Sequence, residues 1–362
     1  MLYIIIAILM FGILIALHEF GHFAAAKLCG VKVNEFAIGM GPRLFHKQGK
    51  ETEYTIRALP IGGFCAMEGE EEGESPDPRA FPNRPWWQRL IILLAGVFMN
   101  FLTGLFIILC FFSTAGGFYI PEVEGFTSNW TAQEQGLAVG DRILSVDGHA
   151  VYLSTDVEFF LSRATSDRVD LKIRRGDETL LLRDYQFAAI KDGSGNIQQY
   201  ILGITLGSER KTLVNTIRTT WFQAVDYVRL VWISLGDLVT GAVGLRDMSG
   251  VVGIVSMVGD LGEEGAAAAA AAGGSAFLGA MENILWFVAF ISINLSVMNL
   301  LPIPALDGGQ IFFMAINGVL LAVRGRKLDP KYQTWVSVAG FACLMLLMLA
   351  VTISDILKQF GV

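Results

Sequence analysis

Four stretches of this chain are apolar for long enough to cross a bilayer, and that limits its possible folds more than anything else. They run roughly from Leu2 to Leu28, Leu90 to Phe118, Ile284 to Leu301 and Val336 to Ile353, against a need of about 20 residues per helical span. Backbone polar groups in hydrocarbon must be satisfied within the protein, so the spans are expected to be helices. Over 362 residues, 53% are hydrophobic and 17% charged, which excludes an ordinary soluble enzyme and fits a polytopic membrane protein. The first run has no basic leader and no small-residue cleavage site, so it is expected to be a retained span rather than a signal peptide.

His18-Glu19-Phe20-Gly21-His22 lies at the end of that first run. Two histidines four apart share one helix face, and a glutamate beside the first can reach a water held by the same metal. Ionisable groups in a span are costly and point to function by default. Catalytic zinc takes three protein ligands and leaves a position for water. Asp307, in Asn299-Leu300-Leu301-Pro302-Ile303-Pro304-Ala305-Leu306-Asp307-Gly308-Gly309 at the end of the third span, is the obvious third ligand.

Lysine and arginine fix the expected orientation. Lys27, Lys32, Arg43, Lys47, Lys50, Arg57, Arg79, Arg84 and Arg89 fall between spans one and two, and Arg324, Arg326, Lys327 and Lys331 between spans three and four. Both segments are expected to be cytoplasmic, with both termini and the segment between spans two and three extracytoplasmic. His22 and Asp307 then lie toward the same side of the membrane. The net charge of −7 comes partly from Glu68 to Glu74, expected to be a solvated loop, and nothing indicates nucleic-acid binding. Cys29, Cys65, Cys110 and Cys343 show no metal or disulfide spacing, and His46 and His149 read as surface residues.

Between the first two spans, Val33 to Phe45 and Tyr54 to Met67 are extended-looking stretches broken by Gly39, Gly41, Pro42, Pro60, Gly62 and Gly63. They are open to two readings, hairpins dipping into the membrane or a plain surface hairpin. From Gly116 to Gly207 the composition is that of a soluble domain: Val169, Leu171 and Ile173 alternate with charged residues as in a half-buried strand, and Thr155 with Glu158 predicts a capped short helix. Val214, Ile217, Trp221, Val225, Val228, Trp232 and Leu235 mark an amphipathic helix of about six turns, either membrane-lying or packed against the spans. Ala266 to Ala272 reads as a helical or flexible lead-in to span three.

Two resemblances follow from these residues. Gly136-Leu137 and Gly140-Asp141-Arg142-Ile143-Leu144-Ser145-Val146-Asp147-Gly148 resemble a PDZ domain, a module that binds peptides by adding a strand to a sheet edge. His18 to His22 together with Leu306-Asp307-Gly308 resemble the site-2 protease family of intramembrane zinc metalloproteases, in its bacterial regulator of sigma-E protease type with one PDZ domain. The resemblance covers essentially the whole chain. It implies a bacterial cytoplasmic-membrane zinc endopeptidase with one Zn2+ per chain, held by His18, His22 and Asp307, with Glu19 activating the water.

It also implies single-pass membrane substrates, of the anti-sigma factor or remnant signal peptide class, cut after a first cleavage elsewhere. Gly39-Met40-Gly41 is similar to the family's membrane hairpin, and Asn294, Asn299, Pro302 and Pro304 match positions that hold an unwound substrate or shape the site. Helix-to-helix hydrogen bonding is the competing reading of both asparagines. Met248 to Ile254 is similar to a further family stretch, with Val251 where proline is usual.

The expected architecture is therefore an α-helical membrane protein of about four spans with membrane-associated β-hairpins and an inserted α+β PDZ-like domain. Its parts are residues 1–115 with the zinc motif, 116–207 as the PDZ-like domain, 208–280 as an amphipathic membrane-surface region, and 281–362 with the third ligand. A membrane scaffold with a structural zinc site is the alternative, against which Glu19 argues because such a site needs no base. A metal transporter would need a second relay of membrane ligands, and the sequence offers none.

Overall fold

Residues 2–70, 75–127, 132–191, 197–244, 248–326 and 328–359 are described by a computed structural model. In chain order, α1 (Leu2–Leu28) leads into β1 (Val33–Gln48), β2 (Glu53–Met67) and α2 (Trp86–Thr114). A β-rich segment follows: β3 (Gly117–Phe126), β4 (Arg142–Val146), β5 (His149–Ala150), α3 (Ser154–Ser162), β6 (Arg168–Arg175), β7 (Glu178–Gln186), β8 (Ala188–Lys191), β9 (Ile197–Ile201) and β10 (Ile204–Arg210). The remainder is helical, with α4 (Leu213–Thr240), α5 (Val251–Ala271), α6 (Ala276–Asn299), α7 (Asp307–Arg324) and α8 (Pro330–Gln359). Two compact units result, one of Met1–Ile107 with Tyr227–Val362 and one of Ile108–Asp226.

In the first unit, α1, α2, α6 and α8 are long and apolar enough to cross a membrane, four such helices among the described residues. Their limits differ from the expected ones where local chemistry intervenes. The second starts at Trp86, directly after Pro85, and stops at Thr114 because Gly116-Gly117 break it and Phe118 joins β3. The third starts at Ala276 rather than Ile284, since the Ser275 hydroxyl caps it by accepting from Leu278 N–H at 3.4 Å. The fourth extends from Pro330 to Gln359. The alanine-rich lead-in is helical, as part of α5, and packs on α6 where Gly265 and Gly279 meet.

β1 and β2 are each bent back on themselves. Phe36 lies opposite both Cys65 and Tyr54: residues 33–38 pair with 63–67 on one edge and 35–38 with 53–56 on the other, while 43–48 pair with 53–57. The bends fall where glycine is required: Gly39, Gly41 and Gly62 have φ of 86°, 83° and 90°. Met40, Leu44, Phe45 and Leu59, at and beyond the bends, leave apolar surface exposed. Beneath the sheet, Ala25, Ala26, Val31, Val33, Cys65, Met67, Phe81, Ile92 and Leu93 form one core, tying the end of α1 to β2 and α2. Ala7, Leu14, Val258, Ile284 and Val288 tie the start of α1 to α5 and α6.

The second unit holds an antiparallel sheet of order β10-β3-β4-β6-β7, with β5 paired to β4. Val169, Leu171 and Ile173 are buried as their alternation requires, as are Ile143, Val146, Val157 and Phe160. The cap of α3 is not the expected Thr155 and Glu158 pair: the carboxylate of Asp156 accepts from Tyr152 N–H at 2.7 Å and Leu153 N–H at 3.0 Å. Asp156 is itself buried, and its short side chain turns back on its own first turn.

On the helix α4, Val214, Ile217, Trp221 and Trp232 of the expected apolar face are 72%, 55%, 52% and 57% exposed and Val225, Val228 and Leu235 are half-buried, whereas Thr216, Thr220, Ala224, Tyr227 and Val231 are buried.

The fully buried Asp141 is held by Arg175 through Nε to Oδ1 at 2.8 Å and Nη2 to Oδ2 at 2.7 Å, and by Ala138 N–H at 2.7 Å. Burial alone would raise its carboxyl, but these donors outweigh it and hold it below the ordinary 3.8. A lowered folded value stabilises the fold above the ordinary pKa and ceases to do so as pH falls through the lowered one. Asp141→Asn is expected to cost about 2 kcal/mol at neutral pH. Hydrogen exchange of residues 108–226, corrected for intrinsic rate, should show the gap to wild type closing as pH falls below about 4.

Candidate active site

One turn of α1 carries His18, Glu19 and His22, and the first residue of α7 is Asp307. His18 Nε2 lies 3.1 Å from His22 Nε2, and Asp307 Oδ2 lies 3.2 Å from the former and 3.4 Å from the latter. Ligand bonds of 2.0–2.1 Å in a tetrahedron put donor atoms about 3.3–3.4 Å apart, so these three fit the face of a zinc tetrahedron. Among the described residues these form the one such group of three. Asp307 Oδ2 is buried with no hydrogen-bond partner, which an acceptor-only group tolerates when a cation is shared with it.

Each of the three side chains is positioned by local backbone. A Cβ at Gly308 would meet Leu300 O at 2.3 Å and one at Gly309 would meet Ile303 O at 2.3 Å. The two glycines thus let α7 begin hard against the loop it has just left. Gly21 does the same between α1 and α2, where a Cβ would stand 2.3 Å from Ala95 O. His22 Nδ1–H donates to the Ile92 carbonyl at 2.8 Å, which fixes the tautomer that leaves the Nε2 lone pair facing the site. Gly96, one turn further along α2, leaves room beside the imidazoles: a Cβ there would lie 2.4 Å from His22 Nε2 and 2.8 Å from His18 Cε1.

A cavity of about 970 Å³ opens onto these groups, lined among others by Glu19, Asn100, Cys65, Glu70, Asn299 and Gln310. Glu19 accepts a hydrogen bond from the Cys65 backbone on β2. Of the residues expected to contact substrate, Asn299 lies on the cavity wall. Asn294 is half-buried on α6 outside the lining, and Gly39, Met40 and Gly41 occupy the β1 bend. Pro302 is exposed and Pro304 packs at Gly340, both in the loop that delivers Asp307.

Sequence reasoning missed two polar groups here. Asn100 is the one amide side chain in the apolar run from Leu90 to Phe112, and that rarity was its available signal. Glu70 was assigned to a solvated acidic loop, of which residues 71–74 lie outside the described residues. It lines the cavity instead, hydrogen-bonded to Gln310, and burial pushes its carboxyl up to about 7 against the opposing pull of His22.

Apolar helices that carry two histidines, a carboxylate and an adjacent glutamate define a membrane metallohydrolase. The chain belongs to peptidase family M50, which it matches over residues 6–347, and it is a zinc metalloprotease. A Clostridium acetobutylicum protein bearing a zinc-metalloprotease name is 38% identical over 98% of this chain and 97% of its own. The regulator of sigma-W protease RasP of Bacillus subtilis is 29% identical, over 99% of each chain. The solved PDZ domain of an SdrC-like protein from Listeria monocytogenes is 29% identical over 26% of this chain and 90% of its own, with a TM-score of 0.19, too low to argue from shape.

Gly96→Ala should expel the metal while leaving the helices formed, because the added methyl collides with the ligand nitrogen. A fall of at least about tenfold in zinc affinity is expected, read by metal analysis of the purified chain.

Proposed function

We propose that this chain is an intramembrane endopeptidase that hydrolyses peptide bonds in or near the transmembrane segment of single-pass proteins, after a first cut elsewhere. The observation that carries the reading is the zinc-fitting triad beside Glu19, opening onto a polar cavity at the end of an apolar span. One zinc per chain is inferred from the single three-ligand group among the described residues. The name of the sigma-W regulator relative supports anti-sigma factors as one substrate class, with remnant signal peptides as the other. The lysine and arginine bias supports a bacterial cytoplasmic membrane location, with the site toward the cytoplasm and both termini and the PDZ-like domain outside.

His18, His22 and Asp307 hold the metal. Zinc, when bound, supplies a Lewis acid that polarises the peptide carbonyl and brings the pKa of water toward about 7. Glu19 accepts the proton of the attacking water and delivers it to the departing amine. A helical substrate hides its peptide bonds in its own hydrogen bonds, so it must unwind before attack. Residues 63–67 of β2 pair with β1 along one edge, no other strand pairs with them among the described residues, and Phe64 to Met67 line the cavity. An unwound substrate can add there as a strand, beside Asn299.

Glu19→Gln should keep zinc and lose cleavage of a reconstituted single-pass substrate by at least about a hundredfold; cleavage at the wild-type rate sinks the mechanism. The PDZ-like domain, 116–207, is proposed to filter substrates by size or by a terminus exposed in the first cut. Deleting it should then release cleavage of an untrimmed substrate, read by gel shift, and unchanged selectivity in a folded deletion variant contradicts the filter.

A further inference from the structure

We propose that Asn100 is a positioning residue that makes His18 a metal ligand: its side-chain oxygen accepts the proton of His18 Nδ1 and so turns the lone pair of Nε2 toward the metal. The inference rests on the assignment of His18 as a ligand. Asn100 is 1% exposed in the middle of α2, and its amide lies 3.3 Å from His18 Nδ1. Its Oδ1 is buried without a partner.

The sense of the amide decides the tautomer of His18. With Nδ2 toward the imidazole, His18 Nδ1 must accept, which puts the ring proton on Nε2 and occupies the atom that faces Asp307. A half-turn of the amide exchanges its nitrogen and oxygen at almost no change of shape. Oδ1 then accepts from Nδ1–H, Nδ2 takes the place that Oδ1 held, and Nε2 is free to bind a cation.

Helix packing does not account for the side chain. The contact between α2 and α6 at this level uses the Asn100 backbone carbonyl, which accepts from Ser292 Oγ at 2.7 Å, and the close approach at Gly104, where a Cβ would meet Ala289 O at 2.9 Å. The residues Ile92, Gly96 and Asn100, four apart, thus form a stripe on α2 that serves the metal site with a carbonyl, a vacancy for the rings and an amide. Each histidine receives its own acceptor from the same helix.

The test measures zinc affinity by chelator competition on the full-length chain in detergent micelles, with zinc alone as the ligand. Asn100→Leu, of the same branching but without an acceptor, should weaken zinc about 10–100-fold. Asn100→Asp, whose carboxylate can only accept, should recover most of that loss, whereas a merely structural role predicts the reverse order because it buries a charge. Zinc held by the leucine variant as tightly as by wild type, or by the aspartate variant as weakly as by the leucine variant, overturns the proposal. Circular dichroism reports folding, and Asn100→Ala takes the place of the leucine variant if that one misfolds. His18→Ala separates the two levels: if it leaves zinc affinity unchanged, the ligand assignment has failed, not the Asn100 relation alone.

Discussion

Two imidazoles and a carboxylate stand within 3.4 Å of one another at the end of an apolar helix, and the rest of the membrane unit is arranged to make that tolerable. Ionised side chains at such depth are costly unless they share a countercharge. A divalent cation answers that need for all three at once, provided that their donor atoms converge. Convergence requires α1, α2 and α7 to approach more closely than side chains usually permit. The glycines sit where it happens: Gly21 against Ala95, Gly96 against the imidazoles, Gly308 and Gly309 against the loop from Leu300 to Ile303. In hydrocarbon, where apolar burial does little to drive helices together, small residues at contacts are the general means of close association.

How far the site was legible follows from which groups carry its chemistry in their side chains. His18, Glu19, His22 and Asp307 are residue types with few other uses in a span, and the helix repeat alone puts three of them on one turn. The supporting helix left almost no trace. Ile92 contributes a carbonyl that any residue supplies, and Gly96 contributes the absence of a side chain. Asn100 was visible in principle, but nothing local tells a polar residue that orients a ligand from one that joins two helices.

The same division holds for the fold. Apolar length located all four spans and both ends of the first, but missed ends of the others, because those are decided by Pro85, Ser275 and Gly116-Gly117 rather than by hydropathy. Periodicity found the face of α4 but could not say what covers it, and along that face exposed Val214 and Trp232 alternate with half-buried Val225, Val228 and Leu235. The glycines between residues 33 and 67 announced turns. The double pairing of Phe36 with Cys65 and Tyr54 depends on both strands bending together, a relation that no single segment encodes.

Peptide hydrolysis in a membrane demands that an extended backbone and water reach the same few ångströms, and the cavity offers groups suited to each. Glu70 and Gln310 give its lining polar side chains. The edge of β2 also lines it and is joined to the base directly, since the Cys65 backbone donates to Glu19. In the proposed reaction this link matters more than the width of the cavity. A strand added at residues 63–67 has its register set by backbone hydrogen bonds, and the base is held by the same short stretch of backbone. The peptide bond nearest Glu19 is then chosen by where the substrate has unwound and paired, so an endopeptidase with few side-chain pockets can still cut at a defined position.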